Sequence, residues 1–436
     1  MYVRPLAAAA TACLSISILA AGASQAFAAT GPGGSAPNNS LPAGAQSPGA
    51  HVFTPPHAVR MTPRATPDAG AFSAPDSSPF SAPDSAPDAT VSVGCGPTAG
   101  ADLQTAVDNA ASGDTLVLSP LCDYSIDTPD PASTDSALYV NKTLTIDGNG
   151  ATIQRDAGAA GDFRIIRIDD PGNLTLVHVT VKGGRATYST TNGDGGGIEV
   201  NGAGAALTLR GSRVVENVAQ EGGGGIADYG GTVTVTTSTL SGNQAGNGGG
   251  GLEEGAGTVT FSSSHITDNT ADASLFGFSA VGGGAARMVG DGQLTINSSP
   301  ITGNQALGGY TFGGAIENIS GTVNLNSSPV SHNTASGDAA RGGAVSNLGT
   351  LNVTSSPFRN NTANGTVSGG LGGGLSENGG PATFRSSPIM FNTASGPGAA
   401  GGGIYDEYGP VYLTSSPVLF NTPDNCSPTG SVPGCF

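Results

Sequence analysis

Seven residues, each two positions beyond a recurring glycine motif, carry the most chemistry legible in this chain: Asp228, Glu254, Arg287, Asn318, Asn347, Glu377 and Asp406. If successive motifs stack at the strand spacing of roughly 4.8 Å, Asp228 comes beside Glu254 and Glu377 beside Asp406. Two carboxylates roughly 5 Å apart suit a retaining glycosidase, or a Ca2+ ion held by oxygen ligands. Arg287, one turn from Glu254, is a lone candidate for the basic residue that a lyase would need beside its acids. The same column also reads as polar residues pointing outward into solvent, where neighbouring acids are common.

Other side chains point to binding or to structure. Leu275, Phe276 and Phe278 lie in the longest insertion of the chain, and Tyr310 and Phe312 lie in the next. Exposed together, they make a patch for a sugar or a protein; folded back, they pack over their own coil. His178, His265 and His332 occupy unlike positions, so neither a metal cluster nor a serine triad is visible. His51 and His57 have no other ligand type nearby and read as solvated. The poly-glycine runs lack the Lys-Ser/Thr and the following helix of a phosphate loop. Excluding Cys13 of the leader, the cysteines are Cys95, Cys122, Cys426 and Cys435. Of three pairings, the two local ones, Cys95 with Cys122 and Cys426 with Cys435, would pin the two ends of the domain separately. Their spacing matches no zinc pattern.

What must position these residues is an eight-fold repeat spanning 195–422. Each copy opens with a glycine pair, as in Gly-Gly-Gly-Ile198, Gly-Gly-Gly-Ile226, Gly-Gly-Gly-Leu252, Gly-Gly-Gly-Ala285 and Gly-Gly-Ala-Ile316. A segment of alternating apolar and polar residues follows, such as Val233-Thr-Val235 or Leu294-Thr-Ile296, which is strand periodicity. Ten residues after its first apolar position comes an Asn in every copy: Asn217, Asn243, Asn269, Asn304, Asn333, Asn361, Asn392 and Asn421. A period of two inside a repeat of 26 to 35 residues excludes helical arrays. It predicts a coil of parallel strands in which equivalent residues form ladders, with the asparagines at a corner. Between each Asn and the next glycine motif the chain varies from 9 to 16 residues, so insertions project from one edge, which in repeat proteins is often the binding face.

These paired signatures, Gly-Gly-Ala/Gly-aliphatic and Phe/Ile-x-x-Asn, resemble the repeats of polymorphic outer-membrane proteins. The resemblance covers about 230 residues and implies the right-handed parallel β-helix, a fold shared by adhesins, polysaccharide lyases, hydrolases and passive passengers. That family usually ends in a membrane β-barrel. No run of amphipathic strands for one is legible here, so anchoring in an outer membrane is not expected.

Composition sets the remaining bounds. The 436 residues include 71 glycines, two lysines and no tryptophan, with a net charge of −17 that becomes −18 without a leader carrying only Arg4. Such acidity argues against a nucleic-acid partner, and scarce basic residues disfavour acidic polysaccharides. The lack of Trp weakens glycan stacking. Residues 1–28 read as a secretory signal peptide ending Ala26-Phe27-Ala28, and 29–90 as a disordered Pro/Ala/Ser-rich spacer. In 91–122, the spacing of Leu103, Ala106, Val107 and Ala110 predicts a capping helix over 101–111. The expectation is therefore an all-β solenoid over 91–436, a right-handed parallel β-helix of about ten coils with a short N-terminal capping helix and a disulfide-bonded tail at 423–436. It is secreted, has no transmembrane segment in the mature chain and has an undetermined oligomeric state. Its expected function is non-catalytic and adhesion-like, binding glycan or protein along the looped edge. No cofactor is expected; the alternatives are a polysaccharide lyase or glycoside hydrolase using the acidic column, with or without Ca2+, and an inert structural passenger.

Overall fold

The computed structural model describes residues 88–435, so the leader, nearly all of the spacer and Phe436 lie outside the described residues. From Asn173–Val177 to Ile404–Asp406 one strand of each coil joins each of four sheets, the first coils supplying strands to only three, and every paired strand among the described residues runs parallel. A representative coil runs Ile226–Tyr229, Thr232–Thr236, Thr239–Ser241, Gln244–Ala245. We call the four sheets 4, 1, 2 and 3 in that order. Sheet 1 has 12 strands and sheets 2 and 4 have 11 each, so the solenoid makes about eleven turns, slightly more than the repeat count predicts.

Period two becomes burial directly. In Thr232–Thr236, Val233 and Val235 are buried while the threonines face out, and the pattern recurs in register from coil to coil. Stacking these aliphatics builds one continuous core along the axis. Each coil alone would leave that face wet, so the turns are stable only together.

The corner asparagines form the ladder their spacing predicts, and they do so inside. Asn333 is fully buried; its Nδ2 and its backbone N–H both donate to Asn361 Oδ1 at 3.0 Å, while its own Oδ1 accepts the same pair from Asn304. A second ladder runs beside it, in which the backbone N–H of Ser212 donates to Ser238 Oγ, that of Ser238 to Ser264 Oγ, and so on to Ser416. The glycine pair has two separate causes. The first glycine has positive φ in all eight copies, for example Gly223 at 63° and Gly313 at 60°. The second has no room: a Cβ on Gly224 would stand 2.2 Å from the Gln244 carbonyl oxygen.

That repeating φ also corrects the alignment of the fourth copy. The positive-φ glycine there is Gly283, so the motif is Gly283-Gly-Ala-Ala286, and Ala286 rather than Ala285 pairs with Leu252 and Ile316. Small residues on both sides hide the one-residue slip in the sequence.

Both ends are closed. The capping helix spans Ala99–Asn109, with Leu103 and Val107 buried against the first coils. Lys142 donates to the carbonyls of Val107, Asp108 and Ala110 at 2.9 to 3.0 Å, satisfying its C-terminal end. Disulfides join Cys95 to Cys122 and Cys426 to Cys435, the two local pairings.

The insertions are ordered as well. Ala280–Gly282, Tyr310–Phe312 and the second halves of Thr334–Arg341 and Thr362–Leu371 pair in sequence, making a short parallel wing between sheets 3 and 4.

Candidate functional site

Sheet 4 carries the acidic column, and alternation along its strands decides which way each side chain points. In Ile226–Tyr229, Ile226 and Asp228 share the inner face. Asp228, Glu254, Asn318, Asn347 and Glu377 are fully buried, and Asp406 nearly so. The expectation that this column faces solvent is therefore corrected: it lines the inside of the corner between sheets 4 and 1. There Asp228 Oδ1 accepts from the Gly231 N–H at 2.8 Å, and Glu254 Oε1 accepts from the Gly257 N–H. Glu377 accepts from the Gly379 N–H and from Asn347 Nδ2, at 3.1 and 2.9 Å. Each acid thus ties down the turn that follows it. Burial pushes Asp228 up to about 6 and Glu254 to about 7, the latter raised further by the Asp228 charge. Burial likewise lifts Glu377 to about 7 and raises Asp406. Enclosed by the coil, these carboxyls have no open path to a substrate.

Arg287 is not in that column. The alignment on Ala286 places Met288 beside Glu254 and turns Arg287 to the outer face, beside Glu253 and Glu317. Its Nε lies 3.0 Å from Glu317 Oε2, and its Nη1 lies 3.8 Å from Glu253 Oε2. Both glutamates are nearly buried because the chain entering the preceding coil's motif crosses over each of them. A Cβ on Gly222 would stand 1.9 Å from Glu253 Oε2, and one on Gly282 2.1 Å from Glu317 Oε2.

This outer face of sheet 4 holds a polar network that the sequence pattern did not single out. Arg164, fully buried, bonds Asp135 at 2.5 Å, Glu199 at 2.8 Å and Asn192 at 2.5 Å. Further along, the Tyr229 hydroxyl donates to Glu253 at 3.1 Å and also bonds Asp194, which accepts from the Gly222 N–H at 2.9 Å. Glu221 takes Asn247 Nδ2 at 2.7 Å and the Tyr188 hydroxyl. Desolvation holds Asp194 up at about 6 and Glu253 at about 7, and raises Glu317 and the Tyr229 hydroxyl. The legible signal was the residue directly after the motif aliphatic, which is charged in four of the eight copies: Glu199, Glu253, Arg287 and Glu317. The arrangement neutralises charge and keeps protons. Among the described residues no group of three or more His, Cys, Asp or Glu converges to hold a metal ion.

No protein-family model matches the chain, and no curated protein does. Among solved structures, it is similar to the crystal structure of pectate lyase Pel9A, with 12% identity over 77% of this chain and 79% of that one and a TM-score of 0.41. Nothing about activity is carried across at that distance.

The aromatic residues divide. Phe278 packs on Ala271, Ala273 and Val281, and Phe276 lies against Gly246 with the Arg185 guanidinium 5.8 Å from its ring. Phe278 thus folds back over its own coil, and Phe276 lies along the coils before it. Tyr310 is 57% exposed on the wing, with Phe312 half-buried two residues on. Leu275 and Val367 add exposed apolar surface, Val367 in the stretch that bulges between Gly365 and Gly369.

Proposed function

We propose that this chain is an exported, non-catalytic binding protein of adhesion type that engages a glycan or a protein along its wing. The observation that carries this reading is the pairing of the insertions into strands of their own. Ordering such segments costs roughly 1 to 2 kcal/mol of backbone entropy per residue, which the apolar core does not require for its own closure. They hold Tyr310 and Val367 outward, two coils apart, along one edge of the solenoid, as a binding edge demands. The acids that a lyase or hydrolase would use are engaged inside the solenoid, so the catalytic alternative has no accessible site in support. Two disulfides fit an oxidising compartment.

The test is binding of the full chain to an array of neutral and acidic glycans and to immobilised collagen and fibronectin, beside turnover assays on the same polysaccharides with and without Ca2+. The expected result is binding to one of these surfaces, lost in Tyr310→Ala and Val367→Asp, with no turnover. Turnover would overturn the reading in favour of an enzyme, and binding indifferent to both variants would remove the wing from it. No binding and no turnover would leave an inert scaffold.

A further inference from the structure

Sheet 1 presents a flat, regular outer face over five coils. Five consecutive strands, Thr232–Thr236, Thr258–Ser262, Gln293–Asn297, Thr322–Asn326 and Thr350–Thr354, pair residue for residue without a bulge. Their first, third and fifth residues point outward, which makes fifteen positions, nine of them threonine and the others Ser, Asn or Gln. None is charged and none is aromatic, in a chain that is 11% charged and 5% aromatic overall. Charge returns at the borders, with Arg210 on the preceding strand and Arg385 on the following one.

The array is also fixed in place. Asn326 Nδ2 donates to Asn297 Oδ1 at 3.0 Å and Asn352 Nδ2 to Asn324 Oδ1 at 3.0 Å, while Asn324 reaches Thr295 Oγ1 at 3.3 Å. Threonine has few χ1 states to lose. The columns repeat at roughly 4.8 Å along the axis and the rows at roughly 6.6 Å across it, twice the residue rise. The wing leaves the coil between sheets 3 and 4, so it does not overhang this face.

Threonine is a common outward residue on strands and the chain is only 11% charged; what sets this face apart is that its neutral hydroxyls and amides stand in register over five coils. A rigid, neutral lattice of hydroxyls and methyls fits a ligand that is itself neutral and periodic in two dimensions. Charged side chains bind water too strongly to let it join a lattice, whereas a hydroxyl bonds lattice water and its methyl occupies the hollow between rows. Polysaccharide faces share the periodicity but are normally gripped by aromatic stacking, which this face lacks. We propose that the outer face of sheet 1, from Thr232 to Thr354, is an ice-binding surface. The inference is independent of the wing and of what the wing binds.

The test is slow growth of ice on a cold probe from a dilute solution of the full-length, oxidised protein, with serum albumin as the excluded control. The expected result is enrichment of the protein in the ice. Thr234→Tyr/Thr260→Tyr should lower that fraction about tenfold, the factor that corresponds to about 1.4 kcal/mol. Tyr412 already occupies this column, opposite Thr383, so tyrosine is accommodated by the fold. A second pair, Thr234→Lys/Thr260→Lys, gives the same loss by adding charge, and Arg359→Ala on the exposed face of sheet 2 leaves the enrichment unchanged. Exclusion of the wild-type protein from ice overturns the proposal, as does enrichment unaffected by both double variants. Binding to microcrystalline cellulose or chitin that the same variants abolish, without ice enrichment, also overturns it.

Discussion

Asp228 and Glu254 stand side by side inside the solenoid, one coil apart, each holding the turn that leaves its own strand. Their remaining oxygens, Asp228 Oδ2 and Glu254 Oε2, are buried without a hydrogen-bond partner. Two such neighbours cannot both be ionised cheaply, and burial raises both, to about 6 and about 7. Their ordinary values are 3.8 and 4.5. The folded state therefore binds more protons than the unfolded chain across the interval between. Stability from these groups is complete below the ordinary values and is lost as pH rises through the folded ones.

The expected outcome is a protein more stable at pH 5 than at pH 8, the reverse of a carboxylate held by salt bridges. A tenfold change in proton affinity corresponds to about 1.4 kcal/mol, so each acid contributes on the order of 2 kcal/mol to this difference. Asp228→Asn and Glu254→Gln keep the oxygen that accepts from Gly231 or Gly257 and remove the titration. Thermal melts from pH 5 to 8 should flatten in the double variant. A wild-type melting temperature that climbs with pH over this range would contradict the assignment.

Much of the fold was legible because its signals are periodic. The alternation in Val233-Thr-Val235 and the unbroken spacing to Asn243 define a strand and a corner, and Leu103 with Val107 defines the cap. The acidic column was misread because polar residues two beyond an aliphatic were assigned to the outside, although period two places Asp228 on the same side as Ile226. The slip at Ala285 and Ala286 moved Arg287 into the wrong column. The wing was unreadable for another reason: Thr334–Arg341 contains Gly337, Asp338 and three alanines, so its strand comes from pairing with neighbouring coils rather than from propensity.

The asparagine ladder gives the second prediction. Asn333→Ala leaves the Asn304 backbone N–H and the Ile301 carbonyl without their buried partners. Each orphaned group costs about 1 to 3 kcal/mol, so the two together should cost about 2 to 6 kcal/mol. Guanidinium unfolding would show it as a lower midpoint. The exposed Asn352→Ala, which loses only a surface amide pair, should fall within about 0.5 kcal/mol of wild type.

Lys142 provides a local test of the cap. Its ammonium serves three carbonyls at the end of the helix, where positive charge is favoured by the helix dipole. Lys142→Met keeps the apolar stem and removes the donors, at an expected cost of about 1 to 2 kcal/mol. Hydrogen exchange should accelerate within Ala99–Asn109 and stay unchanged at Asn333. Uniform acceleration throughout the chain would mean that the helix does not open separately from the coils.

The last prediction concerns Arg287, whose guanidinium lies between Glu253 and Glu317 under the crossing strand. Removing it leaves two nearly buried carboxyls without a cation, and breaking a buried pair from one side costs about 3 to 5 kcal/mol. Arg287→Met should therefore lower the melting temperature sharply at pH 8 and less at pH 5, where both acids, already raised by burial, take up protons. Adding Glu253→Gln and Glu317→Gln to Arg287→Met should recover most of the loss at pH 8, because the triple variant carries no uncompensated charge. A catalytic arginine would behave differently: its loss would leave stability intact at every pH. Equal loss at pH 5 and pH 8, with no recovery in the triple variant, would show that Arg287 acts through packing of its aliphatic stem rather than through its charge.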